Sequence, residues 1–274
     1  MRTRVITALV MAVVLVPLLF VSEIWLMSVL GVFTAGAAYE YVRMMEVQKE
    51  IAFFLKGLFI GAALTTYAVT LMVFVGIIVP MSLVIWLMFW MLVWLGALAL
   101  APNFPTGSVA SVFIGMFYTS VPFAAISFLF FEGIEYLIFV ILITMVSDIF
   151  AYFVGMRFGK HKLHPHVSPN KSIEGAIGGT VIASVVATIY AATLGLFAFE
   201  PFAGYIGGLL LLSVALSIVS QLGDLVASAL KRNHDIKDFS NLFPGHGGIL
   251  DRFDSTMFAA VLLAMVILAS GGVL

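Results

Sequence analysis

The stretch IEYLIFVILITMVSDIFAYFVG, residues 134–155, decides the fold. It is apolar over about the 20 residues that an α-helix needs to cross the hydrocarbon core of a bilayer, and only a segment that satisfies its own backbone polar groups can do so. Eight further runs of this kind occupy 5–22, 24–44, 57–79, 81–101, 108–130, 175–199, 203–230 and 255–272. Pro80, the stretch NFPTG at 103–107 and Glu200-Pro201 punctuate them as turns. The composition agrees, with 63% hydrophobic and 10% charged residues and a mean hydropathy of +1.18. Soluble domains carry about 25% charged residues, so a soluble fold is excluded. We expect an all-α, polytopic integral membrane protein of about nine transmembrane helices.

The basic residues orient the chain. MRTRVITALV opens like the basic region of a signal peptide, but its apolar run is long and no A-x-A cleavage pattern follows, so it reads as a first span that stays. With the N-terminus cytoplasmic, all 13 Lys and Arg residues fall on the inner face, while the outer connections carry only Glu23, Glu132, Glu135 and Glu200. The C-terminus is then outside. We expect residues 1–130 to form N-terminal transmembrane helices that serve as a scaffold or oligomer surface. Residues 131–274 are expected to form a C-terminal transmembrane catalytic region with cytoplasmic loops 156–174 and 231–254. A net charge of −1 offers no general basic field for nucleic acid, and the absence of cysteine rules out disulfides and thiolate metal sites.

Those two loops hold all five histidines and eight of the 13 basic residues. The first sets Arg157, Lys160, Lys162 and Lys171 against Glu174 and is a net anion receptor. The second balances Lys231, Arg232, Lys237 and Arg252 against Asp235, Asp238, Asp251 and Asp254, as where carboxylates hold a cation that meets phosphate. Beside them, Asp148 and Asp224 lie in apolar runs, where a carboxylate costs roughly 2.5–3.5 kcal/mol and needs a partner. Tyr152 follows Asp148 by one turn. Gln221, Asp224, Ser228 and Lys231 make one polar stripe, which reads as an interhelical hydrogen-bond seam, a proton or cation path, or a metal-phosphate site.

Gly175, Gly179 and Ala183, and likewise Gly204 and Gly208, recur at four-residue spacing that lets helix backbones approach. In PGHGG, 244–248, glycines can turn amide N–H groups toward an anion just ahead of a helix. Asp254 suits an N-cap before Ser255, and Asp251 suits a ligand. Neither a P-loop nor a G-x-G-x-x-G turn is present. His161, His164 and His166 read as hydrogen-bonding or cationic partners near lipid headgroups rather than as a zinc cluster.

The run Ser228-x-Leu230-Lys231-Arg232, then Lys237-Asp238-x-Ser240-x-x-Phe243-Pro244-x-His246-Gly247-Gly248-Ile249-x-Asp251-Arg252-Phe253-Asp254, resembles the signature of the phosphatidate cytidylyltransferase (CDP-diacylglycerol synthase) family. Upstream, Asp148, Ala151-Tyr152, Gly155 and Ser168-Pro169-Asn170-Lys171-Ser172-x-Glu174-Gly175 are similar to a second region of that family, with Asn170 where lysine is common and Ser172 where threonine is common. The resemblance implies transfer of CMP from CTP to phosphatidate, giving CDP-diacylglycerol and pyrophosphate. It further implies a divalent cation such as Mg²⁺, with room for a second cation, and an integral protein of a bacterial inner (cell) membrane whose site faces the cytoplasm.

On that resemblance, Asp224 and Asp251 are expected as metal ligands, joined by Asp148 and Asp254. Lys231, Arg232, Lys237 and Arg252 neutralise the triphosphate and lipid phosphate, helped by Ser228 and the Gly247 and Gly248 amides. Lys171, with Ser168 and Ser172, positions the lipid headgroup or closes over CTP. His246 donates to pyrophosphate or holds its loop, while Asp238 and Glu174 orient the basic residues. Membrane lipid is the other expected partner, with a homodimer as an open option. The rival readings are a CTP-dependent polyprenol kinase and, from another class, a cation-coupled transporter using Asp148 and Asp224.

Overall fold

In a computed structural model of the chain, the described residues are 13, 17, 22–47, 53–100, 106–197 and 204–270. Nearly all of the span expected at 5–22, residues 103–105 of the NFPTG turn and the Glu200-Pro201 turn lie outside them. The elements follow as α1 (Glu23–Val47), α2 (Phe53–Phe74), α3 (Pro80–Leu100), α4 (Thr106–Glu132), α5 (Ile134–Phe158), β1 (Lys162–His164), β2 (Ser168–Ser172), α6 (Ile173–Leu194), α7 (Tyr205–Asn233) and α8 (Leu250–Ala269). Among the described residues, seven helices, α2 to α8, are long and apolar enough to cross a membrane. The class is that of an all-α polytopic membrane protein.

Each apolar run from 24–44 onward has its helix. Pro80 stands at the first position of α3, where its fixed φ and missing N–H suit a helix start. Two ends differ from expectation. The 156–174 loop is mostly structured, because α5 continues to Phe158 and an antiparallel hairpin, with Lys162 opposite Ser172 and His164 opposite Ser168, leads straight into α6. The last helix begins at Leu250 instead of near Ser255.

The chain divides into two compact units, Met1–Phe131 with Asn233–Arg252, and Glu132–Arg232 with Phe253–Leu274. In the first, an aromatic series links α1, α2 and α3: Tyr41 stacks on Phe59 at 5.8 Å, Phe59 lies 6.4 Å from Trp94, and Trp94 stacks on Trp90 at 6.1 Å. The hydroxyl of Tyr41 donates to the Ser111 carbonyl at 3.0 Å, so a polar tip on a buried ring is satisfied.

In the second unit α5 and α6 pack most closely. Gly175, Gly179 and Ala183 are buried on one face of α6. A Cβ on Gly179 would stand 2.5 Å from the Ser147 carbonyl oxygen and 3.0 Å from the Ala151 Cβ, so the two backbones meet where a side chain would hold them apart. Ile177, Val181, Val185 and Ile189, at four-residue spacing, are exposed along α6 and suit acyl chains. The second glycine pair does not repeat this. Gly204 precedes α7 with φ +77°, and a Cβ there would meet nothing, so it serves a turn instead of a helix contact.

We expect Gly179→Val to lower the thermal unfolding midpoint of detergent-purified protein, at an overpacking cost of about 1–3 kcal/mol. Gly207→Ala, whose added methyl meets no atom within 4 Å, should leave it unchanged or raise it.

Candidate active site

In the second unit α5, β2 and α7 bring Asp148, Lys171 and Asp224 around a cavity of about 400 Å³, with Tyr152, Asn170, Ser172 and Gln221 also on its wall. Asp148 and Tyr152 share it because they lie one turn apart on α5. The Lys171 ammonium donates to Asp224 Oδ2 as an ion pair, and Ser228, one turn further along α7, donates to Oδ1 at 3.3 Å. Asp254 on α8 stands within electrostatic reach of Asp224, Asp148 and Lys231, and its Oδ1 accepts the Ser255 amide at 2.8 Å. Lys231 is buried, while Arg232, at the end of α7, is exposed.

The polar stripe of α7 divides between two roles. Gln221 Nε2 donates to Thr180 Oγ1 at 2.8 Å, Ser147 Oγ at 3.1 Å and the Ala176 carbonyl at 3.3 Å, while Ser217 donates to Ser147 and Thr180. That half is a hydrogen-bond seam between helices. The half containing Asp224 and Ser228 holds charge beside the cavity.

The hairpin is braced from α6. Ser172 Oγ accepts the Gly175 amide at 3.2 Å as the N-cap of α6 while it lines the cavity. Glu174, in the first turn, accepts the Lys160 amide at 3.1 Å and faces His161 Nδ1 at 2.6 Å. Its basic partner is thus His161. Ser168 sits at the far end of the strand pair, opposite His164, whose Nδ1 accepts the Val167 amide at 3.3 Å. His161 and His164 therefore serve the hairpin.

In the first unit the segment leading to α8 is folded on two carboxylates. Phe243 N–H donates to the Gly247 carbonyl at 2.9 Å and His246 N–H to Phe243 at 2.8 Å, a tight turn that Gly247 permits at φ +83°. Asp251 Oδ2 then accepts the amides of Phe239 at 2.8 Å and Gly248 at 2.9 Å. From α1, Glu40 Oε1 accepts Ser240 Oγ at 2.6 Å and the Ile249 amide at 2.9 Å, and Oε2 accepts the Leu250 amide at 2.9 Å.

These bonds correct two expectations. The glycine-rich turn does aim amides at an anion, but the Gly248 amide meets the protein's own Asp251 and is not a donor for a ligand. Asp254 is not an N-cap. Glu40 and the backward reach of Asp251 satisfy the leading amides of α8, so the helix starts four residues before Asp254.

Lys237 and Asp238 are exposed on a cavity of about 340 Å³ whose wall includes Arg43, Ser240 and Asn241. Arg252 is exposed, and His246 Nδ1 is buried with no hydrogen-bond partner among the described residues. Glu40 and Arg43 were absent from the expected set. The signal for Glu40 is the one that exposed Asp148 and Asp224, a carboxylate inside an apolar run.

Among the described residues no three His, Asp or Glu side chains are grouped as a metal cage. Mg²⁺ is held by one or two carboxylates together with substrate phosphates, not by an all-protein cage. The hard oxygens of Asp148, Asp224 and Asp254, within electrostatic reach of one another beside the cavity, fit that donor chemistry. Carboxylates and lysines gathered at helices of membrane-spanning length can hold a polyphosphate next to lipid.

A family model described as the cytidylyltransferase family matches residues 2–270. The chain is 48% identical over 151 residues to a Bacillus subtilis (strain 168) protein named phosphatidate cytidylyltransferase, covering 55% of this chain and 53% of that one. It is 42% identical over 154 residues to one of the same name from Staphylococcus haemolyticus (54% and 57% covered), and 43% identical over 156 residues to one from Staphylococcus aureus strain COL (55% and 58%). The chain spans about half the length of the curated relatives it matches. The match over nearly its whole length shows that this chain belongs to the cytidylyltransferase family.

Proposed function

We propose that this protein is a nucleotidyltransferase that moves CMP from CTP to phosphatidate, forming CDP-diacylglycerol and pyrophosphate for phospholipid synthesis. The observation that carries this reading is the cavity where Asp148, Lys171 and Asp224 meet on helices of membrane-spanning length, in a family whose relatives bear that name. An oxygen of the lipid phosphate forms the new bond to the α-phosphorus of CTP as the bond to the β-phosphate oxygen breaks, and pyrophosphate leaves with the electron pair. The attacking phosphate is already anionic near neutral pH, so no Ser-His type of base is required. What the reaction needs is charge neutralisation between two polyanions.

Asp224 and Asp251, supported by Asp148 and Asp254, would hold Mg²⁺, with room for a second cation. When bound, the ion supplies compensation for the phosphate charge. Lys231, Arg232, Lys237 and Arg252 bind the phosphates, with Ser228 as a further donor and Asp238 and Glu174 as orienters. Lys171, with Ser168 and Ser172, presents the lipid headgroup, and its pair with Asp224 keeps that carboxylate placed. His246 and the Gly247 amide are donors toward the pyrophosphate side. The chain crosses the membrane nine times, with the N-terminus and this site cytoplasmic and the C-terminus outside. A homodimer through residues 1–130 fits the scaffold role of the N-terminal helices.

Purified protein with phosphatidate, labelled CTP and Mg²⁺ should yield CDP-lipid and pyrophosphate, and EDTA should abolish the product until Mg²⁺ is restored. A phosphorylated lipid with CDP instead would mark a lipid kinase. Asp224→Asn and Asp251→Asn should insert normally yet lose at least about 100-fold in turnover, the scale for losing a charge-stabilising group. Wild-type turnover in either removes its ligand role. Lys171→Ala should raise the KM for phosphatidate or CTP, and unchanged values for both would make the hairpin structural. Because the chain has no cysteine, orientation is readable by single replacements. In intact cells an impermeant maleimide should label Glu132→Cys and not Arg157→Cys, and the reverse pattern would invert the topology.

A further inference from the structure

We propose that Glu40 is a positioning residue for this reaction, a carboxylate on α1 that clasps both ends of the segment between Phe239 and Asp251 and fixes its functional side chains. The inference rests on the function proposed above. Glu40 is 2% exposed, and its two oxygens take three donors. One donor, Ser240, begins the segment; the other two, the Ile249 and Leu250 amides, end it. Asp251 repeats the arrangement from inside, joining Phe239 at the beginning to Gly248 at the end. Two carboxylates thus close one loop from opposite sides, and the loop carries His246 and the Gly247 amide.

The fit extends beyond hydrogen bonds. Gly248 lies so close to Glu40 that a Cβ would collide with the carboxylate, and Gly36, one turn earlier on α1, leaves room for the Ile249 side chain. A negative charge at the start of α8 also suits the helix dipole. Glu40 further accounts for Ser240, a member of the long motif that has no other assigned task, since its hydroxyl serves as the donor that receives the clasp. Loss of the carboxylate would leave three donors unpaired and free the loop to shift, and a misplacement of about 1 Å in a reacting constellation costs on the order of 100-fold in rate.

The test compares wild type, Glu40→Gln and Glu40→Ala for kcat and KM with CTP and phosphatidate, normalised to the folded fraction by gel filtration. A spin label on Leu242→Cys, an exposed position in a chain without cysteine, reports loop mobility. We expect Glu40→Ala to lose about 100-fold in kcat per folded molecule, with KM changed less than kcat and with a more mobile label. Glu40→Gln should fall between, because its carbonyl still accepts while its amide opposes a backbone donor. Wild-type kcat in Glu40→Ala, a loss fully explained by the folded fraction, or an unchanged label would overturn the proposal. If the wild type forms no CDP-lipid, the proposed function fails and the catalytic half of this inference fails with it. A mobile label in Glu40→Ala would then still establish the clasp, and an immobile one would remove it.

Discussion

A carboxylate taken out of water has to meet donors or a cation, and the polar architecture of this chain follows from how four of them do so. Asp224 meets Lys171 and Ser228. Asp254 accepts the amide of Ser255, Asp251 takes two loop amides, and Glu40 takes three donors. An unpaired ion in such surroundings would cost several kcal/mol, so each pairing also fixes the backbone that supplies the partner. The hairpin is tied to α7 in this way, and the glycine-rich turn to α1.

This economy has a functional side. A chain that is only 10% charged cannot spread its ionic groups, and the polyanionic substrates of the proposed reaction require cations grouped near acids that hold their places. Lys171 illustrates the principle: held by Asp224, its ammonium is available at a defined position on the cavity wall instead of sweeping the headgroup region on a flexible stem. Gln221 and Ser217, satisfied among hydroxyls, supply the neutral polar packing that keeps α5, α6 and α7 in register beside that charge.

Much of this was legible before any coordinates. Hydropathy alone locates α1 to α8 to within a few residues, because the bilayer permits little but helices of a certain length. The four-residue spacing of Gly175, Gly179 and Ala183 marks the α5–α6 seam, and the insertion cost of a carboxylate marks Asp148 and Asp224. Local rules fail where a remote group decides. Nothing near Leu250 in sequence announces that its amide is satisfied by Glu40, so local rules start α8 near Ser255 and make Asp254 its cap. The glycines of 244–248 indicate an anion correctly without saying that it belongs to the protein. Gly204 and Gly208 carry the same spacing as the true seam, and only the space around Gly204 tells a turn from a helix contact.

The reach of Glu40 also bears on biogenesis. It lies 200 residues before Ser240 and 210 before Leu250, so during synthesis α1 emerges long before any of its partners exist. The carboxylate stays solvated or transiently paired while the intervening helices insert, and its burial waits for the segment that leads into α8. Contacts of such long sequence separation form late because the closing loop is entropically expensive. The glycine-rich turn therefore takes its final shape only after residues 239–251 have been made.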